Sequence, residues 1–208
     1  MTSPARDEGS APAARRGRRP GAPDTRAAIL AAAREQFATQ GVAGTTIRGI
    51  GAAAGVDAAL VHHYFGTKDQ LFLAAMEFPV DPRVVLAPAL AGGAEGAAER
   101  MLRAFLSVWD DPQLRLPLLS FVRGALEPAG HRLVRDGFVP LILGPVADAL
   151  GIEDARRRMI LVASQVFGLI LVRYVLELEP VASMPSELVV ATYAPTIQRY
   201  LTGDLPPA

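Results

Sequence analysis

The chain has 208 residues, of which half are hydrophobic and a fifth are charged, as in a soluble globular protein of one or two domains. It has no cysteine, so disulfides, thiolate metal sites and cysteine nucleophiles are excluded. The net charge is zero, but the charged residues are unevenly distributed along the chain. Residues 15–68 carry eight basic and three acidic side chains, and residues 69–208 carry twelve basic and sixteen acidic ones. This asymmetry predicts a polyanionic partner for the front of the chain.

Residues 1–23 are rich in Ala, Gly, Pro and Arg and show no hydrophobic period, which predicts a disordered basic arm. The paired arginines of residues 15–19 resemble a twin-arginine export signal. However, Asp24 and Arg26 stand where such a signal needs an apolar core, so export is rejected. We therefore expect a cytoplasmic protein.

Four helices are predicted in residues 24–78, each with a capping residue at its start or a glycine or proline at its end. Their predicted extents are from Asp24 or Thr25 to Gly41, from Thr45 or Thr46 to Gly55, from Asp57 to Phe65, and from Lys68 to Glu77. The first three are short enough and close enough in sequence to make a compact three-helix head.

The rest of the chain, residues 79–208, shows helical periodicity and no strand pattern. The predicted helices are Val84–Leu90, Glu95–Trp109, Gln113–Glu127, His131–Leu150, Asp154–Leu178 and Pro185–Leu201. Pro140 and Pro145 are expected to kink or break the fourth of these. The predicted fold is all-α, with the head followed by a larger helical body.

Two short helices joined by a glycine-containing turn predict a helix-turn-helix unit, whose second helix enters the DNA major groove. At 100° per residue, the helix after Asp57 turns its apolar stripe inward. That stripe consists of Ala58, Val61 and Phe65. The outward residues are Ala59, His62 and His63, with Leu60 and Tyr64 on the flanks.

The adjacent histidines are unsuited to two other roles. Neighbouring side chains on a helix project about 100° apart, so His62 and His63 cannot readily chelate one metal ion, and no carboxylate lies three or four residues away in this helix. A general base needs a pocket and a nucleophile, which an exposed helix lacks. A solvated face would more often carry Glu, Lys or Arg, so His, His and Tyr favour contacts to phosphates and base edges.

Other residues of the basic front are predicted to assist DNA binding. Ala58 and Ala59 are small enough to let the helix approach the groove. Free N–H groups near Thr45 and Thr46 favour a phosphate, and Lys68, the only lysine, is placed for a second one. Arg48 can reach a guanine edge or a phosphate. Arg18 and Arg19 in the arm can follow the backbone or enter a minor groove.

An enzyme is the main alternative class, and the sequence argues against it. The stretch GIGAAAG, residues 49–55, has the spacing G-x-G-x-x-x-G, one residue longer than a dinucleotide-binding fingerprint, and no strand precedes it. No nucleophile motif, metal-ligand cluster or phosphate loop is present. The glycines at positions 49 and 51 each cost their helix about 1 kcal/mol relative to alanine, so packing must hold it.

The stretch TTIRGIGAAAGVDAALVHHYFGTKDQLF, residues 45–72, resembles the DNA-binding head of the TetR family of bacterial transcriptional repressors. The resemblance covers residues 24–77. It implies a homodimer on a pseudo-palindromic operator, released when a small molecule binds the body, and it needs no cofactor. It places nine residues where the family commonly touches DNA: Thr46, Arg48, Asp57, Ala58, Ala59, His62, His63, Tyr64 and Lys68. His62, Tyr64, Leu60 and Gly51 depart from the usual pattern.

The family usually dimerises through its last two long helices, here 154–178 and 185–201. The first is apolar nearly all round, more than the core of one chain requires; a fully intramolecular core is the alternative. Its most apolar run, residues 159–172, spans roughly 21 Å as a helix, short of the ~30 Å core of a bilayer. We therefore expect a helix buried on most faces and no membrane association.

An effector pocket among the middle helices is also implied by the resemblance. Its candidate aromatic liners are Phe105, Trp109, Phe121, Phe138 and Phe167, with Arg123 and His131 as polar groups that orient a ligand. Alternatively, each of these aromatic residues belongs to the hydrophobic core and touches no ligand. Residues 116–122 are nearly uncharged, which fits an apolar or amphipathic effector. A DNA-binding architectural protein without any ligand is the alternative function.

Overall fold

A computed structural model describes residues 24–207, apart from the side chain of Ala129; the predicted arm, with Arg18 and Arg19, lies outside the described residues. Regular structure in the described part is entirely helical, which confirms the predicted fold class. The helices are α1 Thr25–Gly44, α2 Ile47–Ala54, α3 Ala58–Phe65, α4 Lys68–Ala75, α5 Pro82–Leu90, α6 Ala97–Trp109, α7 Pro112–Ala125, α8 Pro128–Leu133, α9 Gly144–Leu150, α10 Ala155–Ile170 and α11 Ser186–Thr202. Wider π-helical segments, Val134–Leu143 and Leu171–Val175, follow α8 and α10.

Each helix of the head begins at a side chain that accepts a backbone N–H. Asp24 accepts from Arg26 and Ala27, and Thr46 from Gly49 at 3.0 Å. Asp57 accepts from Ala59 at 2.7 Å. Thr67 and Gln70 form a reciprocal capping box at the start of α4. The predicted caps are confirmed, and the structure selects Asp24 over Thr25 and Thr46 over Thr45.

Glycines kink α1 near its end, end α2 and let neighbouring segments of the head pack closely. Gly41 and Gly55 have φ values of 71° and 70°, a left-handed conformation that glycine adopts without a steric penalty. A Cβ on Gly51 would lie 2.9 Å from the carbonyl oxygen of Val56. Glycine at this position therefore allows α2 to approach the turn before α3 more closely than alanine would.

A small aromatic and aliphatic core holds α3 in place. Ile29, Phe37, Ile50, Val61 and Phe72 are completely buried. The rings of Phe37 and Phe72 meet edge to face, with centroids 5.3 Å apart. Because Val61 projects from α3 into this core, the opposite side of α3 faces outward.

The body packs α6 against α5 and α11, and α10 against α9 and α11. A polar cluster ties three of its elements together. The Tyr174 hydroxyl donates to Asp110 at 2.9 Å, and the Ser186 hydroxyl donates to the same carboxylate at 2.6 Å. Burial, together with this bond to Asp110, raises the pKa of Tyr174. The cluster connects the end of α6, the segment after α10 and the start of α11.

Head and body meet along the π-helical segment after α8. Ile142 from this segment is buried in the core of the head. A Cβ on Gly137 would lie 2.6 Å from Phe72 and 2.9 Å from Val42, so the segment lies directly against the head. Pro140 lies within the segment and Pro145 in the first turn of α9, where the sequence predicted a kink or break.

The long apolar helix differs from its prediction. Residues 155–175 form a continuous helix of 21 residues, which is long and apolar enough by composition to cross a membrane. Only 28% of its most apolar window is buried, whereas the sequence predicted burial on most faces. The physical reason is that α9 and α11 cover one side of α10 and leave the other side of the helix open.

Candidate nucleic-acid interface

The exposed face of α3 carries the side chains predicted for it. Val61 and Phe65 are buried, while His62 and His63 are exposed and Tyr64 is 45% exposed. Ala59 is exposed on the same side. The predicted orientation of α3 is therefore confirmed, and the imidazoles point away from the core.

Two contacts limit the freedom of these side chains. Nδ1 of His62 lies 2.8 Å from the carbonyl oxygen of Gly66, one turn further along the chain. The ring of His63 meets Tyr64 edge to face, with centroids 5.8 Å apart. The outer face of α3 is thus partly ordered before any partner binds, which reduces the entropy lost on binding.

The beginning of α2 lies at the surface, but the side chain of Thr45 there is buried. Thr46 and Arg48 are exposed, as a phosphate contact requires. Thr45 is only 1% exposed, and its hydroxyl donates to the carbonyl of Gly41 at 2.7 Å. Thr45 therefore stabilises the turn after α1, and its side chain is not available to DNA.

The Lys68 side chain also has a structural role that the sequence did not predict. Its ammonium nitrogen donates to the carbonyls of Val42 at 2.8 Å and Thr45 at 3.1 Å. These bonds hold the turn between α1 and α2 against the start of α4. An ammonium group has three donors, so one remains for a phosphate.

Arg26 is a candidate contact that the sequence analysis missed. Its guanidinium lies 5.3 Å from the centre of the Phe65 ring, at the end of α3, and the side chain is exposed. The cation–π contact holds a positive charge beside the outward face of α3. The available signal was a basic residue in the first turn of α1, which local pattern alone does not connect with α3.

The predicted pocket residues of the body do not share one wall. Phe121 and Phe138 pack against Phe78, at centroid distances of 4.5 and 5.5 Å from it. Trp109 is 6% exposed and packs between Phe105 and Tyr174 in the core. The first cluster joins the segment after α4 to α7 and the π-helical segment after α8, whereas the second joins α6 to the segment after α10.

The remaining predicted pocket residues also lie apart. Phe167 is partly buried on α10, while Arg123 and His131 are exposed. The His131 ring already has a partner, with Nε2 lying 3.2 Å from the carbonyl oxygen of Leu126. The prediction of a single pocket orienting a ligand through Arg123 and His131 is therefore not supported by this arrangement.

An open groove of about 370 Å³ lies where the head meets the body. The head contributes the side of α1 and the end of α4, and the body contributes α7, α8 and the start of the following π-helical segment. Arg34 and Glu77, which form an exposed ion pair, lie on the head side. Phe121 and Leu133 lie on the body side. Phe121 is the one predicted pocket residue among those that line the groove.

A capped head of four helices, α1 to α4, with an outward-facing third helix and an attached helical body defines a helix-turn-helix regulatory protein. Residues 29–75 match the model of bacterial regulatory proteins of the tetR family. Residues 95–201 match that of the tetracyclin repressor-like C-terminal domain. The chain belongs to the TetR family of bacterial transcriptional regulators, which confirms the resemblance of the head and shows a family pattern in the body that the sequence analysis did not find.

The chain is similar to several proteins of known description. The HTH-type transcriptional repressor Rv3405c of Mycobacterium tuberculosis is 46% identical over 76 residues, which are 36% of this chain and 37% of that repressor. The chain thus matches little more than a third of the length of this curated relative. The crystal structure of the TetR-family regulator SCO0857 of Streptomyces coelicolor is 42% identical, with 89% of this chain and 98% of that one covered and a TM-score of 0.45. A putative TetR-family regulator from Mesorhizobium loti is 16% identical, covering 85% of this chain and 95% of its own, with a TM-score of 0.44.

Proposed function

We propose that the protein is a cytoplasmic homodimeric repressor that binds a pseudo-palindromic operator and is released from it by a small apolar or amphipathic molecule. The outward presentation of His62, His63 and Tyr64 on α3, opposite the buried Val61, is the observation that carries the proposal. A helix of this length with planar hydrogen-bonding side chains fits a major groove about 12 Å wide.

Surrounding groups supply the phosphate contacts in this proposal. The DNA backbone on either side of the groove is bound or neutralised by four groups. These are Thr46 and Arg48 at the start of α2, Arg26 beside α3, and the third N–H of Lys68. Asp57, Ala58 and Ala59 lie at the N-terminus of α3, where Asp57 caps the helix and the small alanines permit close approach. In the arm, Arg18 and Arg19 follow the DNA backbone or an adjacent minor groove.

Dimerisation through α10 and α11 is supported by their uncovered apolar side chains. Ile160 on α10 is 46% exposed and Leu188 on α11 is 52% exposed. At helical spacing, α10 carries an outer stripe consisting of Ile160, Leu161, Ser164, Phe167, Gly168 and Leu171. A Cβ on Gly168 would have no neighbour within 4 Å, which leaves room for a second helix to approach. A second copy covering this stripe accounts for an apolar helix that is only 28% buried, without a membrane.

The groove between head and body is the proposed effector site. Its volume of about 370 Å³ falls within the ~300–1,000 Å³ usual for small-molecule sites. Met76 and Phe121 provide apolar surface, while the Arg34–Glu77 pair provides charge at one side. Because the groove is formed by both head and body, a molecule filling it favours a different angle between them. In a dimer, such a change alters the spacing of the two α3 helices, and the operator is released.

Selection of binding sites from random DNA tests the proposal. We expect an enriched two-fold symmetric sequence whose half-sites are separated by about one helical turn of DNA, roughly 34–36 Å. Affinity for that sequence should fall steeply with salt, and replacing Arg26, Arg48 or the Arg18–Arg19 pair should reduce the slope of log K against log salt. Uniform recovery of all sequences would instead support the architectural alternative.

Release by an effector is tested by screening apolar and amphipathic compounds for loss of operator binding. Met76→Trp should fill part of the groove and make the protein insensitive to active compounds while operator affinity is retained. Leu116→Trp, a change at a side chain of α7 that is 68% exposed, is the matched control and should respond like the wild type. An effector that still acts on the Met76 variant would place the site elsewhere in the body.

A further inference from the structure

The hydrogen bond between His62 and Gly66 determines which ring nitrogen carries the proton. The carbonyl oxygen of Gly66 has lone pairs and no hydrogen, so it can only accept. Nδ1 of His62, 2.8 Å away, must therefore be the donor. In the neutral ring the other nitrogen, Nε2, then has no hydrogen and is an acceptor.

This tautomer restricts what His62 can contact on a DNA duplex. An unprotonated Nε2 cannot bind a phosphate oxygen, which also only accepts. The same argument excludes N7 and O6 of guanine and O4 of thymine, all of which are acceptors in the major groove. The donors that the groove offers are the exocyclic amino groups, N6 of adenine and N4 of cytosine.

From this geometry, we infer that His62 reads an exocyclic amino group, N6 of adenine or N4 of cytosine, in each half-site. The inference rests on the proposed function, since it requires α3 to enter the major groove. The Gly66 carbonyl holds the imidazole in one orientation, which limits the rotamer entropy lost when the contact forms. His62 is thus a specificity-determining residue, whereas Thr46, Arg48 and Lys68 position the protein on the backbone.

Binding-site selection with the wild type and His62→Ala, at about pH 8 where free imidazoles are neutral, tests the inference. The wild-type consensus should contain one symmetric pair of base pairs whose preference His62→Ala loses, with the rest of the consensus retained. The selected base pair distinguishes the two possible amino groups, because A·T offers adenine N6 and G·C offers cytosine N4. A consensus that His62→Ala leaves unchanged, or an equal loss of affinity on all sequences, would overturn the inference.

Methylated bases provide a second test on the selected site. In a base pair, the methyl group of N6-methyladenine or N4-methylcytosine replaces the amino hydrogen that faces the major groove and leaves pairing intact. Wild-type affinity should fall by about three- to tenfold on the methylated half-sites, as expected for one hydrogen bond. His62→Ala should bind both duplexes equally. If both proteins lose the same factor, the amino group is not read by His62.

Control variants separate this inference from the proposed function. His131→Ala removes an exposed histidine of the body and should keep the full wild-type consensus. Thermal unfolding of each variant shows whether the fold is intact. If no sequence is enriched over random DNA, the proposed function fails; if a consensus appears and His62→Ala retains it entirely, only the role of His62 fails.

Discussion

All four helices of the head start at a side-chain cap, whereas only α5 and α7 of the seven body helices do, and α6, α8, α9, α10 and α11 start without one. The largest side chains of the head core are enclosed by the head together with residues of α5, α8 and the π-helical segment after α8. By contrast, α10 and α11 leave large apolar side chains such as Ile160 and Leu188 open. The head is therefore specified by local signals, and the body depends on packing between helices and, in our proposal, on a second copy.

The substitution with the largest expected effect destabilises the head and leaves the helices of the body formed. Phe72→Ala removes a ring that is completely buried against Phe37, and we expect a loss of about 3–5 kcal/mol in the free energy of unfolding. Denaturation followed by circular dichroism measures it. Leu116→Ala, at a mostly exposed position of α7, is the control and should change stability by no more than about 0.5 kcal/mol. Comparable losses in the two variants would contradict a well-packed head.

A charge on the outer stripe of α10 tests the dependence of the body on a partner. Ile160→Glu would place a carboxylate in each half of a symmetric apolar interface, and we expect the dimer to weaken roughly 100-fold, or about 3 kcal/mol. Sedimentation equilibrium measures the association. Leu116→Glu introduces the same charge at an exposed apolar position outside α10 and α11, and should leave the dimer intact. Dimerisation unaffected by Ile160→Glu would place the interface on another surface.

The substitution Gly137→Ala tests how tightly the head and the body pack at their boundary. The added methyl group would lie 2.6 Å from Phe72, so either the ring or the π-helical segment must move, at a cost of about 1–3 kcal/mol. Gly144→Ala is the matched control, because a Cβ there meets nothing within 4 Å and should be neutral or slightly stabilising. Thermal unfolding of both variants measures the difference, and equal midpoints would show that the junction is loosely packed.

The substitution with the smallest expected effect removes a helix cap in the head. Asp57→Ala removes the acceptor for the Ala59 N–H, and we expect a loss of about 1 kcal/mol together with fraying of the first turn of α3. Hydrogen exchange at residues 58–61 measures the fraying. Asp148→Ala, at an exposed position within α9, caps no helix start and should leave both stability and exchange unchanged. Protection of α3 in the Asp57 variant would mean that tertiary packing alone holds its start.

Most of the head was predictable because its signals are short-range. Asp57 at the start and Gly66 at the end determine the extent of α3, and the spacing of Val61 and Phe65 determines which side is buried. Capping bonds and helical periodicity act within four residues, so they can be inferred from neighbouring positions. The TetR resemblance then indicated how such a head is used.

Other features depend on residues that are distant in the chain. Three features of the head could be predicted only from the relative positions of α1, α2, α3 and α4. They are the burial of Thr45, the contacts of Lys68 with two carbonyls, and the position of Arg26 over Phe65. The division of the body aromatics between two clusters and the groove beside Met76 depend on the packing of several helices. Residue spacing determined the helices and the faces they bury, whereas distances between atoms from different helices, which decide hydrogen-bond partners and cavities, were determined only by the tertiary structure.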